Sequence, residues 1–402
     1  MKQIINLKNI ITKRRIHLLI FLPIILVFIL LLLQFTYYST QLISSKTKIT
    51  SLSVSESNLK KKLAKVEKDL LDLKNQDQYK RNEELQANIQ KIETTYKKTI
   101  TSYEKLLDIK TQLKNTTKFD DLFAQSISYL SQRNYASGDA TLNNLNKLID
   151  DEKAKIQASF VIPVAATQSN SPPSSGYSRQ SVNSDIGTYL VDIIAADLNS
   201  ARVIVDTASE SDCANDCPVL SLGDYVSRNG AFAGVNGAYF CPAEYPSCAG
   251  RTNSFDTLLM NKNKTYFNSE NNKYSSVPLI YFSGSSAGVR GQSLDWGRDT
   301  GVDMVLANQG LLLSGGNISF GGDGDPKKGS KGSRSFVGNK GTIAYIGVVH
   351  NATVAESAHA LKALGLENAL NLESGGSTAL WSGGYKAGPG RNLPNAILFV
   401  RK

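Results

Sequence analysis

From Ile16 to Tyr38 the chain carries no charge, and Leu18–Leu33 reads LLIFLPIILVFILLLL. A run of that length crosses a hydrocarbon core of ~30 Å. It ends in Gln34-Phe35-Thr36-Tyr37-Tyr38, an aromatic pair suited to the interface, with no small-residue cleavage pattern. The pattern predicts an uncleaved signal anchor over 16–38, a transmembrane helix of a single-pass plasma-membrane protein. Residues 1–15 carry Lys2, Lys8, Lys13, Arg14 and Arg15 and no acid. A basic flank ahead of the span keeps the N-terminus in the cytoplasm and sends the rest outside.

Beyond the anchor the pattern changes period. Leu52, Leu59, Leu63, Val66, Leu70 and Leu73 alternate steps of three and four. Leu85, Ile89, Ile92, Tyr96 and Tyr103 resume the seam after a slip around Asn75–Tyr79. Such spacing predicts coiled coil and with it a homo-oligomer, the alternative being a helical hairpin. A continuous helix from Ser51 to Lys114 extends on the order of 95 Å at 1.5 Å per residue. Phe119–Ile156 predicts two short helices parted by a turn at Ser137-Gly138-Asp139. Together 45–157 reads as a helical stalk. The Ser, Pro, Asn and Gln of 158–187, centred on Ser171-Pro172-Pro173-Ser174-Ser175-Gly176, read as a flexible linker.

From Thr188 the runs become β-branched and aromatic: Tyr189–Ala195, Arg202–Val205, Ala231–Val235, Leu279–Phe282, Met304–Leu313, Thr342–Val349, Ala369–Leu372 and Ala396–Val400. Two helices are signalled, one from Ser221 to the Asn229-Gly230 stop and one opened by a Thr353–Glu356 capping box and stopped at Gly365. The expectation for 188–402 is a mixed α/β (α+β) domain with a central multi-stranded sheet, large enough for one substantial core.

Composition adds little. The chain is 41% hydrophobic, and 45 Lys plus Arg against 35 Asp plus Glu leave a formal +10. That excess is spread out, with no basic stretch interleaved with aromatics, which argues against nucleic acid as a partner. Cys213, Cys217, Cys241 and Cys248 all fall beyond the anchor, where disulfides persist. Four cysteines allow three pairings, of which Cys213–Cys217 with Cys241–Cys248 is the simplest. The spacings do not suit zinc.

The stretch NALNLESGGSTALW, Asn368–Trp381, joins a short apolar run to Asn371, Glu373 and a Ser374-Gly375-Gly376-Ser377 turn. A carboxylate at a strand end suits proton transfer or nucleophilic work, and amides bare of side chains suit an oxyanion. Three further stretches accompany it: Gly234–Phe240 with Asn236 and Tyr239, Gly332–Gly338 with Arg334, and Gly390–Ile397 with Arg391. In this order they resemble the motifs of the phosphodiester glycosidase family, the family of the lysosomal-pathway uncovering enzyme, over 188–402. Here Glu373 stands where the family has Asp, Ser374 replaces the first of three glycines, and Ala238-Tyr239 replaces Gly-Phe. These departures bear on activity more than on fold.

The resemblance implies hydrolysis of a sugar-1-phosphodiester at the glycosidic C1–O bond, in envelope or extracellular glycans. Glu373, Arg334 and Asn236 are then the catalytic set, with Arg334 clamping phosphate. Asn371, Gly375, Gly376, Ser377, Tyr239 and Arg391 bind substrate. Asp256 or Glu244 supplies any second carboxylate. His350 closes a strand and is either part of the same cleft or structural. No cofactor is called for, and a divalent metal is left open. The alternative is a non-catalytic glycan-binding or envelope-organising surface protein on the same fold. Three weaker motifs lead nowhere: Gly284–Gly288 fits G-x-S-x-G without the following helix, Gly321–Asp325 lacks the closing Glu of a calcium loop, and Gly324–Ser330 lacks the P-loop Lys.

Overall fold

The computed structural model describes residues 2–402, with side chains described from Pro23 onward. The side chains of the basic segment and of the start of the expected anchor therefore lie outside the described residues. Contacts divide the chain into residues 1–91 and 92–402.

In the first part, helix α1 runs Lys2–Lys74, and from Pro23 it is long and apolar enough to cross a membrane. The slip in the seam is a real break: α1 ends at Lys74 and α2 occupies Asp77–Lys110. The seam residues Leu52, Leu59, Leu63, Val66, Leu70 and Leu73 are all exposed.

In the second part, the end of α2 packs with α3 (Thr117–Ser131) and α4 (Tyr135–Ser159) around Leu106, Ile109, Phe119, Leu145 and Ile149. The break between α3 and α4 comes earlier than Ser137-Gly138-Asp139. Arg133 takes φ 61°, and the Asn134 side chain accepts the Ser137 amide as an N-cap. Gly138 then lies inside α4, where an added Cβ would stand 2.6 Å from Leu130 Cδ2, so the glycine serves helix contact instead of a turn.

The remainder is an α+β domain of three sheets. The largest has eight strands, in spatial order Thr167–Gln168, Gly176–Asn183, Thr188–Asp197, Ile343–Ala352, Gly332–Lys340, Asn368–Asn371, Leu311–Ser314 and Asn317–Ile318. A second has five: Tyr385–Ala387, Leu380–Ser382, Ala233–Asn236, Asn395–Arg401 and Ala201–Thr207. The third also has five: Tyr266–Phe267, Leu259–Met260, Met304–Ala307, Leu279–Ser283 and Ser286–Arg290. The large sheet is covered on both faces. Ile194, Val337, Ile346, Val348 and Leu370 face Val235, Ile280, Leu306 and Ile397 of the smaller sheets. Val191, Ile193, Phe336 and Val349 face Val354, Ala358 and Leu361 on the capped helix Val354–Ala363. Burial on both sides explains why its strands read as near-continuous apolar runs.

Two expectations are corrected. The polar stretch 158–187 carries two strands, and Gly176–Asn183 pairs along its whole length with Thr188–Asp197. Its ladder is bought by an apolar neighbour, so a Ser/Asn-rich strand needs little hydrophobicity of its own. Met304–Leu313 is two strands in different sheets, parted where Gly310 adopts φ 92°. Arg334 itself sits on the strand Gly332–Lys340, whose register shifts between Gly332 and Arg334.

Gly347 is flanked within the large sheet by Phe336 on one neighbouring strand and Ile193 on the other. An added Cβ would stand 2.3 Å from the Asp192 carbonyl and 2.7 Å from the Phe336 ring. Gly347→Ala is expected to destabilise by at least about 1–3 kcal/mol, read as a lowered thermal midpoint by circular dichroism. Gly291→Ala, which meets nothing within 4 Å, is expected to leave the midpoint unchanged.

Candidate active site

Glu373 leaves the end of the Asn368–Asn371 strand and is held from both sides of its backbone. Its amide donates to the Gly237 carbonyl at 3.0 Å, and its carbonyl accepts Asn236 Nδ2 at 2.5 Å. Asn236 Oδ1 accepts Ser335 Oγ at 2.7 Å and the Ala379 amide at 3.0 Å. Fully buried and committed on both ends of its amide, Asn236 does not reach a sugar hydroxyl. It is a bracket joining three chain segments, and the expectation that it touches substrate is corrected.

The turn after Glu373 is built for close approach. Ser374 is extended at φ −140°, a conformation any residue adopts, so replacing glycine there strains nothing. Gly375 takes φ 64°, which favours glycine. The Ser377 amide turns back to the Ser374 carbonyl at 3.4 Å, so it is not free for an oxyanion. A Cβ on Gly376 would stand 2.7 Å from Arg391 Nη1, so the bare backbone admits the guanidinium against the turn.

Burial dominates the Glu373 carboxyl and pushes its pKa up to about 7. The Ser374 amide, the Arg391 and Lys327 charges and the Ser377 hydroxyl work in the opposite direction. The residue nevertheless keeps some surface open, so it does not lie in a sealed core. Ser377 Oγ is buried and makes no well-formed hydrogen bond, so its influence on Glu373 is one of proximity.

Burial lowers the Arg334 pKa, and Tyr239 and Glu373, within electrostatic reach, offset part of that shift. One edge of its fork is spent: Nε donates to the Ala352 carbonyl at 3.0 Å, and Nη2 to the carbonyls of Lys327 and Ser330. A bidentate phosphate clamp through that edge is therefore excluded, and the guanidinium instead ties the strand to the Pro326–Gly329 turn. Arg391 is likewise engaged, with Nε 3.5 Å from Glu244 and Nη2 3.8 Å from Asp108. The exposed cation beside Glu373 is Lys327, which the sequence reading passed over; its Nζ stands 5.3 Å from the Tyr245 ring centroid.

Asn371 and Tyr239 meet, Asn371 Nδ2 donating to Tyr239 Oη at 2.6 Å. Burial raises the Tyr239 pKa, with the Glu373 charge adding to it. Asn371 Oδ1 is buried with no partner and so presents an unused acceptor. Two further buried amides fix these loops: Asn308 accepts the Tyr239 amide at 3.0 Å, and Asn395 accepts the Ala238 amide at 2.9 Å. Of the candidate second carboxylates, Glu244 reaches the site through Arg391, while Asp256 makes no side-chain contact there.

His350 belongs to a neighbouring network. Its Nε2 lies 2.8 Å from Asp192, which also accepts Tyr177 and both Nε and Nη2 of Arg179 at 2.7 Å. Burial would raise the Asp192 pKa, but those partners hold it well below the usual carboxylate range. His350 Nδ1 is 3.4 Å from Ser333, the neighbour of Arg334, and no contact joins it to Glu373. The disulfides pair Cys213 with Cys217 and Cys241 with Cys248. Among the described residues, no three His, Cys, Asp or Glu side chains group as a metal site.

The strand-end acid and the glycine turn lie under the Arg391 and Lys327 charges. Residues 229–400 match the family model of phosphodiester glycosidases, a match that supports a glycosidase-type hydrolase. No curated protein matches in sequence. A hypothetical protein from Synechocystis aligns at 13% identity over 56% of this chain and 62% of its own, with TM-score 0.40. The chain thus spans less than two thirds of that protein. The catalytic domain of zebrafish N-acetylglucosamine-1-phosphodiester alpha-N-acetylglucosaminidase, auto-inhibited by its pro-peptide, aligns at 16% identity over 59% of this chain and 87% of that one, with TM-score 0.43. An exported protein of Burkholderia pseudomallei aligns at 10% over 53% and 74%, with TM-score 0.35.

The raised pKa has a stability consequence. An acid whose pKa is higher folded than unfolded favours the fold fully below its unfolded value and loses that contribution as pH rises through about 7. Glu373→Gln is therefore expected to raise the thermal midpoint at pH 8 and to change it little at pH 4, measured by calorimetry on the full chain.

Proposed function

We propose that this chain is a membrane-anchored, extracytoplasmic hydrolase that cleaves the C1–O bond of a sugar-1-phosphodiester in envelope or extracellular glycans. The observation that carries the proposal is Glu373, a strand-end carboxylate titrating near neutrality under the Arg391 and Lys327 charges. The C1–O bond breaks with its electron pair going to the phosphate oxygen, a stable anion that asks little of a general acid. Water supplies the new oxygen at C1. Glu373 acts at C1 as its carboxylate, either on water or directly. Lys327 and the flank of Arg391 not taken by acids meet the phosphate, Tyr239 lies against the sugar, and Asn371 holds the Tyr239 hydroxyl in place.

The organisation proposed with this activity is a cytoplasmic tail over 1–15, an anchor over 16–38 and a stalk whose exposed seam pairs with a second copy. The carbonyls on one edge of Arg334 and the carboxylates flanking Arg391 favour one competing reading, a site that holds a glycan without turning it over.

The test is release of sugar and phosphomonoester from a sugar-1-phosphodiester by the full chain in detergent. Glu373→Gln is expected to lose at least about a hundredfold in kcat, and Lys327→Ala to raise KM about tenfold or more, the worth of one charge-assisted hydrogen bond. Because the carboxylate form acts, kcat/KM is expected to rise with pH through about 7. Binding without turnover would favour the competing reading.

A further inference from the structure

The helical segment before the domain supplies charge to the rim of the cleft. Asp108, near the end of α2, accepts a hydrogen bond from Tyr245 Oη and stands 3.8 Å from Arg391 Nη2. One turn earlier on the same face, Glu104 accepts the Ser247 amide at 3.1 Å. Tyr245 and Ser247 lie in the loop closed by Cys241–Cys248. The Tyr245 ring centroid is 5.0 Å from the Arg391 guanidinium and 5.3 Å from Lys327 Nζ, and Tyr245 Oη also accepts Arg391 Nη2 at 3.5 Å. Arg391 in turn lies against Gly376, beside Glu373.

We propose that Asp108 is a positioning residue of the active site, orienting Tyr245 and Arg391 from α2, so that the helical neck is part of the site and not a passive spacer. The inference rests on the reading of this cleft as an anion-accepting hydrolase site. Two alternatives for Asp108 differ in sign. A surface ion pair contributes little, and its loss would go unnoticed. A carboxylate that merely competes with substrate phosphate for Arg391 would hinder the site, and its loss would help. Positioning predicts harm. The geometry favours positioning because Arg391 is only 13% exposed and is fixed between an aromatic ring and a glycine, so a carboxylate that sets its rotamer sets where its charge falls. The charged and titratable groups facing that charge are Glu244, Tyr245, Asp108, Lys327 and Glu373.

The experiment is a double-mutant cycle on the full chain with Asp108→Asn and Tyr245→Phe, which cut the same contact from opposite ends. Two readouts are taken: turnover of a sugar-1-phosphodiester, and calorimetric affinity for inorganic phosphate. Each single variant is expected to lose about tenfold in kcat/KM and in phosphate affinity, with the double variant no worse than either. The acid limb of the pH profile is expected to move upward, because a displaced Arg391 no longer favours the Glu373 carboxylate. Unfolding is controlled by the thermal midpoint, and Asp108→Glu is expected to restore part of the loss. Unchanged kinetics and affinity, additive losses, or increased activity would each overturn the proposal. A wild-type protein that turns over nothing yet binds phosphate more tightly than Asp108→Asn sinks the hydrolase reading and leaves the positioning role standing. Absence of both turnover and phosphate binding overturns both.

Discussion

The buried amide of Asn236 holds the floor of the cleft in place. It takes the Glu373 carbonyl on one end and Ser335 and Ala379 on the other, while the Glu373 amide returns to Gly237. Those contacts join the large sheet to the second sheet at the point where the acid emerges. A buried amide committed at both ends fixes its partners closely, because leaving any of them unpaired costs about 1–3 kcal/mol. Gly237 is required by the same construction: an added Cβ would stand 1.9 Å from Asn395 Oδ1. The acid is therefore placed by the fold before any substrate arrives.

What that placement yields is a contest between desolvation and local charge. Protein around the Glu373 carboxyl disfavours its ionised form, and Arg391, Lys327 and the Ser374 amide recover part of the loss. Neither side wins outright, so both protonation states are accessible near neutrality, the condition under which one carboxyl can take up and release a proton. The arginines contribute charge and architecture, since carbonyls occupy Nε and Nη2 of Arg334 and carboxylates flank Arg391 at 3.5 and 3.8 Å. Lys327 is the cation with freedom to move.

How far this was legible in the chain depended on range. The Thr353–Glu356 capping box and the Ser221 cap are local hydrogen-bond patterns, and both form as read. The short-range disulfides form as the simplest pairing. Glu373 at a strand end followed by a glycine turn was likewise visible, because strand, turn and acid are contiguous. The Gly176–Asn183 strand was not, since its apolar support comes from a neighbour and its own residues are polar. Nor was the occupation of one edge of Arg334, which depends on carbonyls of a turn and of the next strand. Asp108 lies 137 residues from Tyr245, and nothing in a helical seam marks one acid as belonging to a distant cleft. Asn308 and Asn395 were invisible for the same reason: a buried amide that brackets a loop has no local signature.

The account turns on the protonation equilibrium of one side chain. Carbon-13 NMR of the full chain with labelled glutamate carboxyls, referenced against Glu373→Gln to assign the resonance, reads that equilibrium directly. A midpoint at about 7 for Glu373 is the result this structure predicts. A midpoint near the ordinary glutamate value of about 4.3 would contradict it, showing a solvated acid with no special place in the fold.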